Sequence, residues 1–327
     1  MSILSRAQGT LLGQLAGDSL GSLVEFRSPA DIRAAYPHGV RDLADGGTWG
    51  TLAGQPTDDS ELALALARTL VGRSAYSPGA AAAAYADWYL SGPFDIGSAT
   101  TQALAPAAQA LSRRENPAEA AQRAANRETQ ANGALMRVSP LGVFGWRFSA
   151  DPVAIWARAD ACLTHAHPVC QDASALFAVT IAHAVAVEAA PADLYRFART
   201  WAENADLRPE IRDRLQRAES APPDDYVVQQ GWVLTALQNA FFQLLHTETM
   251  EEGIVQTVAC GGDTDTNGCI AGALLGACHG LDAVPARWRE KILACRPEAG
   301  RPGVTRPRPP VYWPIDALEL AEALVGC

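Results

Sequence analysis

Apolar residues recur at every third or fourth position along most of this chain, the spacing that places them on one face of an α-helix. The clearest stripes lie within residues 4–20, 59–71 and 226–247. Sustained alternation of apolar and polar residues, which indicates a half-buried strand, is hard to find. Helical spacing also marks residues 78–91, 98–112, 116–129, 152–163, 168–190 and 315–325. The pattern therefore predicts an all-α fold.

The stretches rich in glycine and proline are short, and none has the length of a convincing linker between domains. They cover residues 45–56, 91–97, 219–224 and 296–310. A chain of 327 residues is long enough to bury one large core. We therefore predict a single compact, orthogonal multi-helix domain over residues 1–327.

Two ladders of glycine repeat every fourth residue, one near each end of the chain. A glycine inside a helix costs up to about 1 kcal/mol relative to alanine, so a stripe of glycines needs a reason. Small residues at this spacing allow two helix backbones to approach closely. The ladders are Gly9, Gly13, Gly17 and Gly21, and Gly268, Gly272, Gly276 and Gly280. They predict two closely packed core helices, which pack on each other in the simplest arrangement.

The net charge argues against some classes of binding partner, and the cysteine content indicates the redox environment of the protein. With 26 basic and 36 acidic residues the formal net charge is −10, which argues against nucleic-acid and anionic-membrane binding. No basic-then-apolar secretory signal opens the sequence, and polar residues interrupt every apolar run long enough to span a bilayer. The cysteines form an odd set without a C-x-x-C pair: Cys162, Cys170, Cys260, Cys269, Cys278, Cys295 and Cys327. Reduced thiols in a cytoplasmic protein are the expectation.

The first acidic motif, Thr57-Asp58-Asp59, opens the predicted helix at residues 59–71. Asp58 followed three residues later by Glu61 resembles a capping box, and the helix dipole also favours acidic residues at this end. Two adjacent carboxylates beside a threonine hydroxyl are also a cluster of hard oxygen donors suited to Mg²⁺ or Mn²⁺. Taken alone, the motif allows either interpretation.

The second acidic motif, Asp263-Thr264-Asp265-Thr266, follows Gly261 and Gly262 and precedes the second glycine ladder. It resembles the start of an EF-hand loop, but the twelfth position counted from Asp263 is Leu274, where that loop needs a bidentate glutamate. A second pair of carboxylates with a threonine at a helix start remains. Two motifs of one design suggest the two halves of a dinuclear metal site.

The order of motifs along the chain resembles the ADP-ribosylglycohydrolase family, most nearly its dinitrogenase reductase-activating and ADP-ribosylarginine-hydrolysing branch. The matching segments are Gly17-Asp18-Ser19-Leu20-Gly21, Val24-Glu25-Phe26, Gly46-Gly47, Thr57-Asp58-Asp59, Phe94-Asp95-Ile96-Gly97, Asn132-Gly133-Ala134-Leu135-Met136-Arg137, Thr164-His165-Ala166-His167-Pro168 and Gly261-Gly262-Asp263-Thr264-Asp265-Thr266. The resemblance implies an all-α fold around two divalent cations, Mg²⁺ or Mn²⁺. The implied ligands are Thr57, Asp58, Asp59, Asp263, Asp265 and Thr266.

Glu25 and Asp95 are the candidate acid/base residues by the same resemblance, which places both near the substrate. Without it, Glu25 is an ordinary surface charge, and Asp95 is a turn former in a Pro-Phe-Asp-Ile-Gly turn. The chain departs from the family pattern at Ser98, where asparagine is expected. The resemblance therefore does not support a substrate hydrogen bond from that position.

The substrate-binding candidates are Asn132, Gly133, His165 and Tyr226. Asn132 and Gly133 suggest a helix-start loop whose backbone N–H groups meet phosphate or ribose. His165 lines the ADP-ribose pocket by resemblance, with capping or packing as the alternative. Tyr226 opens the predicted helix at 226–247 and either stacks on adenine or is a buried core residue.

The function implied by the resemblance is hydrolysis of the bond between ADP-ribose and a protein side chain, most nearly arginine. Hydrolysis of O-linked ADP-ribose, a non-catalytic ADP-ribose-binding module and a purely structural helical scaffold are the alternatives. The two intact acidic motifs speak against the last two. ATP and NAD chemistry lack support because no P-loop or G-x-G-x-x-G is present. An ADP-ribosylated protein is the expected partner, and a monomer is the expected state.

Overall fold

The structure is a computed structural model, which describes residues 1–326, so Cys327 lies outside the described residues. Its α-helices are α1 Ile3–Gly21, α2 Pro29–Ala35, α3 Asp58–Leu70, α4 Pro78–Leu90, α5 Ser98–Ser112, α6 Pro117–Ala124, α7 Ser139–Phe144, α8 Ala150–Ala161, α9 Pro168–Ala186, α10 Pro191–Asn204, α11 Pro209–Ala218, α12 Val233–His246, α13 Met250–Ala259, α14 Thr264–His279, α15 Ala286–Ala294 and α16 Ala317–Gly326. Short 3₁₀ turns are Asn132–Ala134, Gly145–Arg147, Leu281–Ala283, Pro310–Tyr312 and Pro314–Asp316. Within residues 1–326 there is no strand, which confirms the all-α prediction.

Most predicted helices lie within a few residues of their observed bounds, but the helix predicted from residue 226 starts seven residues later. The Asp225 carboxylate accepts hydrogen bonds from the backbone N–H groups of Val227 and Val228, which bends the chain instead of extending a helix. α12 therefore begins at Val233. An aspartate that binds the N–H groups of the following residues is a common turn former, and here it overrides the apolar spacing.

α1 and α14 form the central pair of the fold, and their glycine ladders face each other. A Cβ atom at Gly9, Gly13 or Gly17 would meet the backbone of Gly276, Gly272 or Gly268, respectively. Gly21 meets the first turn of α14 in the same way, and the Thr264 hydroxyl donates to the Gly21 carbonyl at 2.7 Å. The prediction that the two ladders pack on each other is confirmed. The end of α1 and the start of α14 are thereby held side by side.

We expect Gly17→Ala to destabilise the protein by about 1–3 kcal/mol or more, because the new methyl group collides with the Gly268 carbonyl group and neither backbone has room to move. The matched control is Gly79→Ala in α4, where the nearest atom to a Cβ is the Ser77 Oγ at 3.9 Å. The control should keep wild-type stability. Denaturant unfolding of both variants measures the difference, and equal stability of the two would contradict the close approach.

α9 is the one helix in residues 1–326 that is long and apolar enough to cross a membrane by length and composition alone. It packs against α8, α7, α10 and α1, and 78% of its most apolar stretch is buried inside the protein. Burial of this kind is typical of a helix in a protein core, so α9 is weak support for a membrane span.

Candidate active site

The two acidic motifs meet at one cleft, although some 200 residues separate them in sequence. The cleft has a volume of about 470 Å³ and is framed by the starts of α3 and α14, the loop after α1 and the loop after α4. Its lining includes acidic side chains together with polar and glycine residues. The acidic residues are Glu25, Asp58, Asp95, Asp263 and Asp265, and the others include Thr100, Asn132, Gly133 and His165.

The start of α3 is capped by a residue from another helix. Asp18 of α1 accepts hydrogen bonds from the backbone N–H groups of Thr57 and Ser60, at 3.0 and 3.1 Å. Glu61 does not close a capping box, because its carboxylate binds the Trp88 indole and the Arg308 guanidinium. The capping-box interpretation of the first motif is therefore wrong. Since Asp18 meets the capping need, neither Asp58, which lines the cleft, nor Asp59, which is buried next to it, is needed as a cap.

The start of α14 is reached through two glycines in the left-handed backbone region, Gly261 with φ 75° and Gly262 with φ 72°. A Cβ at Gly261 would lie 2.6 Å from the Arg27 carbonyl oxygen, so the loop that carries Glu25 packs directly on this turn. Asp263 precedes the helix without a side-chain cap hydrogen bond of its own. Its carboxylate instead accepts from the Asn132 amide, another residue of the cleft lining, at 2.7 Å.

Seven carboxylates gather here with no basic partner. They are Asp18, Glu25, Asp58, Asp59, Asp95, Asp263 and Asp265. Oxygen atoms of Glu25, Asp263 and Asp265 lie within 4.8 Å of one another. Within residues 1–326 none of the seven forms an ion pair with a lysine, arginine or histidine. Burial raises the pKa values of all seven, and for all but Asp18 and Asp263 the neighbouring carboxylates raise them further; the pKa of Glu25 rises to about 8 and that of Asp95 to about 7.

Asp59 is the residue whose contacts point most directly to a cation. Its Oδ1 atom is buried and has no hydrogen-bond partner within the described chain, whereas its Oδ2 lies 2.9 Å from the Thr57 hydroxyl. A buried carboxylate oxygen without a partner is costly unless something positive binds it. Carboxylate and hydroxyl oxygens are the donors that Mg²⁺ and Mn²⁺ prefer, so this donor set fits a divalent cation.

Glu25 is held in place by an aromatic neighbour that sequence reasoning missed. The Trp49 indole N–H donates to its carboxylate at 2.5 Å. The Trp49 ring also contacts the rings of Phe26 and Phe94, with centroids 6.4 and 6.1 Å apart. Asp95 follows Phe94 in the loop after α4, so one indole links the positions of both candidate acids. No signal in the sequence joins Trp49 to Glu25.

The model of the ADP-ribosylglycohydrolase family matches residues 1–306. This chain belongs to the ADP-ribosylglycohydrolase family. The family is one of hydrolases, and the acidic cleft is the feature of this member that such a reaction can use.

Relatives of this ADP-ribosylglycohydrolase-family chain cover nearly its whole length. The ADP-ribosyl-(dinitrogen reductase) glycohydrolase of Rhodospirillum rubrum is 30% identical over 89% of this chain and 91% of that protein. The ADP-ribosylarginine hydrolase Tri1 of Pseudomonas putida is 27% identical, covering 88% and 74%. Human ADP-ribosylhydrolase ARH3 is 26% identical, covering 88% and 89%. A solved ADP-ribosylglycohydrolase-related protein complex superposes with a TM-score of 0.76 at 26% identity, covering 99% of this chain and 98% of that one.

The predicted ligands all lie in or next to this cluster, and their role as ligands stays a prediction. Asp58, Asp263, Asp265 and Thr266 line the cleft of this family member. Thr57 and Asp59 lie beneath it, buried, where the Thr57 hydroxyl is 2.9 Å from both Asp18 and Asp59. Sequence reasoning missed Asp18, although it stands in the Gly-Asp-Ser segment that carried part of the resemblance.

The substrate-binding candidates divide into two groups. Asn132, Gly133 and His165 line the cleft. The backbone N–H of Asn132 donates to the Gly231 carbonyl, so it is not free to meet phosphate as predicted. Tyr226 is buried, its hydroxyl donates to the Asn239 amide oxygen at 2.8 Å, and it is not among the residues that line the cleft. The structure places its ring in the core, so the prediction that it stacks on adenine is not supported.

We expect the metal-free protein to lose stability between about pH 7 and pH 8. The folded-state pKa values of Asp95, about 7, and Glu25, about 8, exceed the value near 4 of an unfolded chain. Protons held only by the folded state stabilise it, and this stabilisation is lost as the pH rises through those values. The pKa of His165 is lowered, so its contribution is already complete above about pH 6.5.

Thermal unfolding in chelator at the two pH values measures this loss as a fall in Tm. Saturating Mg²⁺ should make the fall much smaller, because a bound cation offsets the repulsion between carboxylates. A Tm that does not change with pH in chelator would contradict the picture of an uncompensated acidic cluster.

Proposed function

We propose that this protein is a divalent-metal-dependent hydrolase that removes ADP-ribose from arginine side chains of modified proteins. The observation that carries the proposal is the set of seven carboxylates around one cleft without a basic partner. Such a site attracts positive charge of two kinds. The deeper carboxylates suit metal ions, and those at the rim suit a cationic leaving group.

The deeper group divides into two sets that match the two sequence motifs. Thr57, Asp58 and Asp59 come from the start of α3. Asp263, Asp265 and Thr266 come from the start of α14. We propose that each set holds one of two Mg²⁺ or Mn²⁺ ions. When bound, these ions supply positive charge that polarises oxygen atoms and makes water a better nucleophile.

Asp95 is the better placed of the two acids for the leaving group. Glu25 is fixed by the Trp49 indole, and its oxygen lies within 4.8 Å of oxygens of Asp263 and Asp265. Asp95 stands on the loop after α4, lines the cleft and is half-buried, whereas Glu25 is buried, so we propose that a side chain of a modified protein enters beside Asp95. A carboxylate pairs well with the planar donors of a guanidinium group.

The reaction breaks the bond between the anomeric carbon of the ribose and the guanidine nitrogen. Water adds its oxygen to that carbon, one proton goes to the departing nitrogen, and a carboxylate takes the proton that the water gives up. In our proposal the Asp95 carboxylate pairs with the guanidinium and orients it, and the proton that the departing nitrogen receives is the one that the water gives up, passed on by Glu25. In the same proposal Glu25 accepts the proton from water, since one of its oxygens lies within 4.8 Å of oxygens of the proposed metal ligands Asp263 and Asp265.

The relatives support this reaction class and leave the linkage as part of the proposal. One relative is named for arginine-linked ADP-ribose and another only as an ADP-ribosylhydrolase. The cytoplasmic location and the monomeric state stay predictions, and cell fractionation and light scattering test them.

The decisive experiment compares hydrolysis of arginine-linked and serine-linked ADP-ribose by the wild type, by Asp95→Asn and by the control Asp87→Asn. Asp87 is exposed on α4, the helix that precedes the Asp95 loop. Loss of one charge-assisted contact costs about 1.5–3 kcal/mol, which is roughly ten- to a hundredfold in rate. We expect Asp95→Asn to lose that much on the arginine-linked substrate, far more than on the serine-linked one, and Asp87→Asn to lose nothing on either.

Other results would change the proposal in defined ways. Equal damage to both substrates, or faster turnover of the serine-linked one, would make the protein an O-linked hydrolase. Full activity after chelation would remove the metal requirement. Tight binding of ADP-ribose without hydrolysis of either substrate in Mn²⁺ would indicate a binding module.

A further inference from the structure

A series of buried, hydrogen-bonded polar groups leads to His165 in the lining of the cleft. It starts at Arg137, whose side chain is fully buried and forms an ion pair with Asp160 at 2.9 Å. The same guanidinium donates to the Thr164 hydroxyl at 2.9 Å. The Thr164 hydroxyl in turn lies 2.8 Å from the Nδ1 atom of His165. The hydrogen-bonded series therefore connects the buried Arg137 guanidinium, through the Thr164 hydroxyl, to the His165 imidazole, which lines the cleft.

The donor and the acceptor of each hydrogen bond in this series follow from counting the hydrogens that each group carries. A guanidinium group has only donors, so Thr164 accepts from Arg137. Thr164 is fully buried, and its own hydroxyl hydrogen has one acceptor within reach, the Nδ1 atom of His165. If Nδ1 carried the proton, the hydroxyl hydrogen would be buried without a partner, which costs about 1–3 kcal/mol. Nδ1 therefore accepts, and the ring proton resides on Nε2.

His165 is also held neutral. Burial and the nearby positive charge of Arg137 lower its pKa to about 3. Near neutral pH the ring then has one proton, and the hydroxyl of Thr164 decides which nitrogen carries it.

The Nε2 edge of the ring lies against a glycine in the cleft wall. A Cβ atom at Gly133 would be 2.7 Å from Cε1 and 3.0 Å from Nε2 of His165, so only glycine leaves the ring its place. Nε2 has no hydrogen-bond partner among residues 1–326. The ring thus offers an unused N–H donor beside the cleft that the carboxylates also line.

We propose that Arg137 and Thr164 are positioning residues that hold His165 as the Nε2–H tautomer, and that this N–H donates to an acceptor oxygen of the bound substrate. The assignment of the tautomer depends only on the hydrogen bonds of Thr164 with Arg137 and His165. The identity of the acceptor rests on the proposed function, under which the substrate carries an ADP-ribosyl group. Because the donor is neutral, it adds hydrogen bonding to this wall without adding charge.

The test reads the tautomer directly, by ¹⁵N NMR of the histidine side chains near pH 7. The variants are Thr164→Val, which removes the hydroxyl, and Thr164→Ser, which restores it. Thr180→Val is the matched control, because Thr180 is a buried threonine whose hydroxyl donates to the Leu176 carbonyl in α9. The spectrum of His165→Gln identifies the signals of His165.

We expect wild type, Thr164→Ser and Thr180→Val to show protonated Nε2 and bare Nδ1 at His165. Thr164→Val should show a mixture of tautomers and bind ADP-ribose about two- to tenfold more weakly in calorimetry, the cost of one weakened neutral hydrogen bond. A protonated Nδ1 in the wild type, or an unchanged spectrum in folded Thr164→Val, would overturn the proposal. If Thr164→Val fails to fold, the wild-type spectrum alone decides the tautomer.

Failure of the proposed function has a different signature. If the wild-type protein shows the Nε2–H tautomer but does not bind ADP-ribose, the positioning role of Arg137 and Thr164 is retained, and ADP-ribose is excluded as the ligand. A shifted tautomer in Thr164→Val with unchanged ADP-ribose affinity would overturn the contact with substrate.

Discussion

Asp59→Asn should lower hydrolytic activity about a hundredfold or more and weaken the Tm increase that Mg²⁺ or Mn²⁺ produces. Residues that only support metal ligands already cost about 10- to 100-fold when mutated, and Asp59 offers a buried oxygen with no other partner. The amide has nearly the shape of the carboxylate, so packing around the start of α3 is preserved.

The same variant should be more stable than the wild type when both are stripped of metal. Burial and the charges of Asp18 and Asp263 raise the pKa of Asp59 well above its usual range, so its negative charge opposes folding. Asp282→Asn is the control, because Asp282 is exposed in the 3₁₀ turn after α14. Calorimetric unfolding with and without metal measures both effects. An Asp59→Asn variant with normal turnover and a normal metal-induced Tm increase would exclude Asp59 as a ligand.

Arg308→Ala should destabilise the protein by about 3–5 kcal/mol, the usual cost of leaving a buried charge without its partner. Arg308 and Glu61 are both 2% exposed, and the guanidinium contacts both carboxylate oxygens at 2.7–3.0 Å. It also binds the Ser91 hydroxyl at 2.8 Å, at the start of the loop that carries Asp95. The ion pair therefore fastens the end of the chain to α3 and to the cleft.

Thermal unfolding measures this loss, and at about 2 °C per kcal/mol it corresponds to a fall of about 6–10 °C in Tm. Arg301→Ala is the matched control in the same segment, because Arg301 is exposed and its guanidinium binds only the Arg296 carbonyl. A folded Arg308→Ala variant should also lose activity through the displaced Asp95 loop. A fall in Tm no larger than that of Arg301→Ala would mean that solvent reaches Glu61 and that the pair is not structural.

The parts of this architecture that local spacing can encode were predictable. Apolar residues three or four apart define α1, α3 and α5 close to their observed bounds. The two glycine ladders predicted each other as packing partners, because a helix face made of glycine allows another helix backbone to approach closely. Two matching Thr/Asp motifs predicted a shared site for a similar reason.

Contacts between distant residues were not predictable, and they decide how the site is built. Asp58 and Glu61 have the spacing of a capping box, yet the cap comes from Asp18, 39 residues before Thr57. Glu61 instead pairs with Arg308, 247 residues away. Nothing within one sequence states which carboxylate meets which cation across such distances. At Tyr226 a local pattern was misleading instead. The apolar spacing predicted that a helix starts there, but Asp225 accepts a hydrogen bond from the Val227 N–H and forms a turn.

The central α1–α14 pair also sets when the cleft can form during synthesis. The hydrogen bond from Thr264 to Gly21 spans 243 positions, so α1 emerges from the ribosome long before its partner exists. Contacts between such distant segments slow folding, because a long loop must close before they form. Until α14 is made, the acidic start of α3 has only half of its surroundings. Under the proposed function, metal capture is therefore a late event, and a nascent chain that stops before residue 264 has a helix with a bare glycine face and only one of the two acidic motifs.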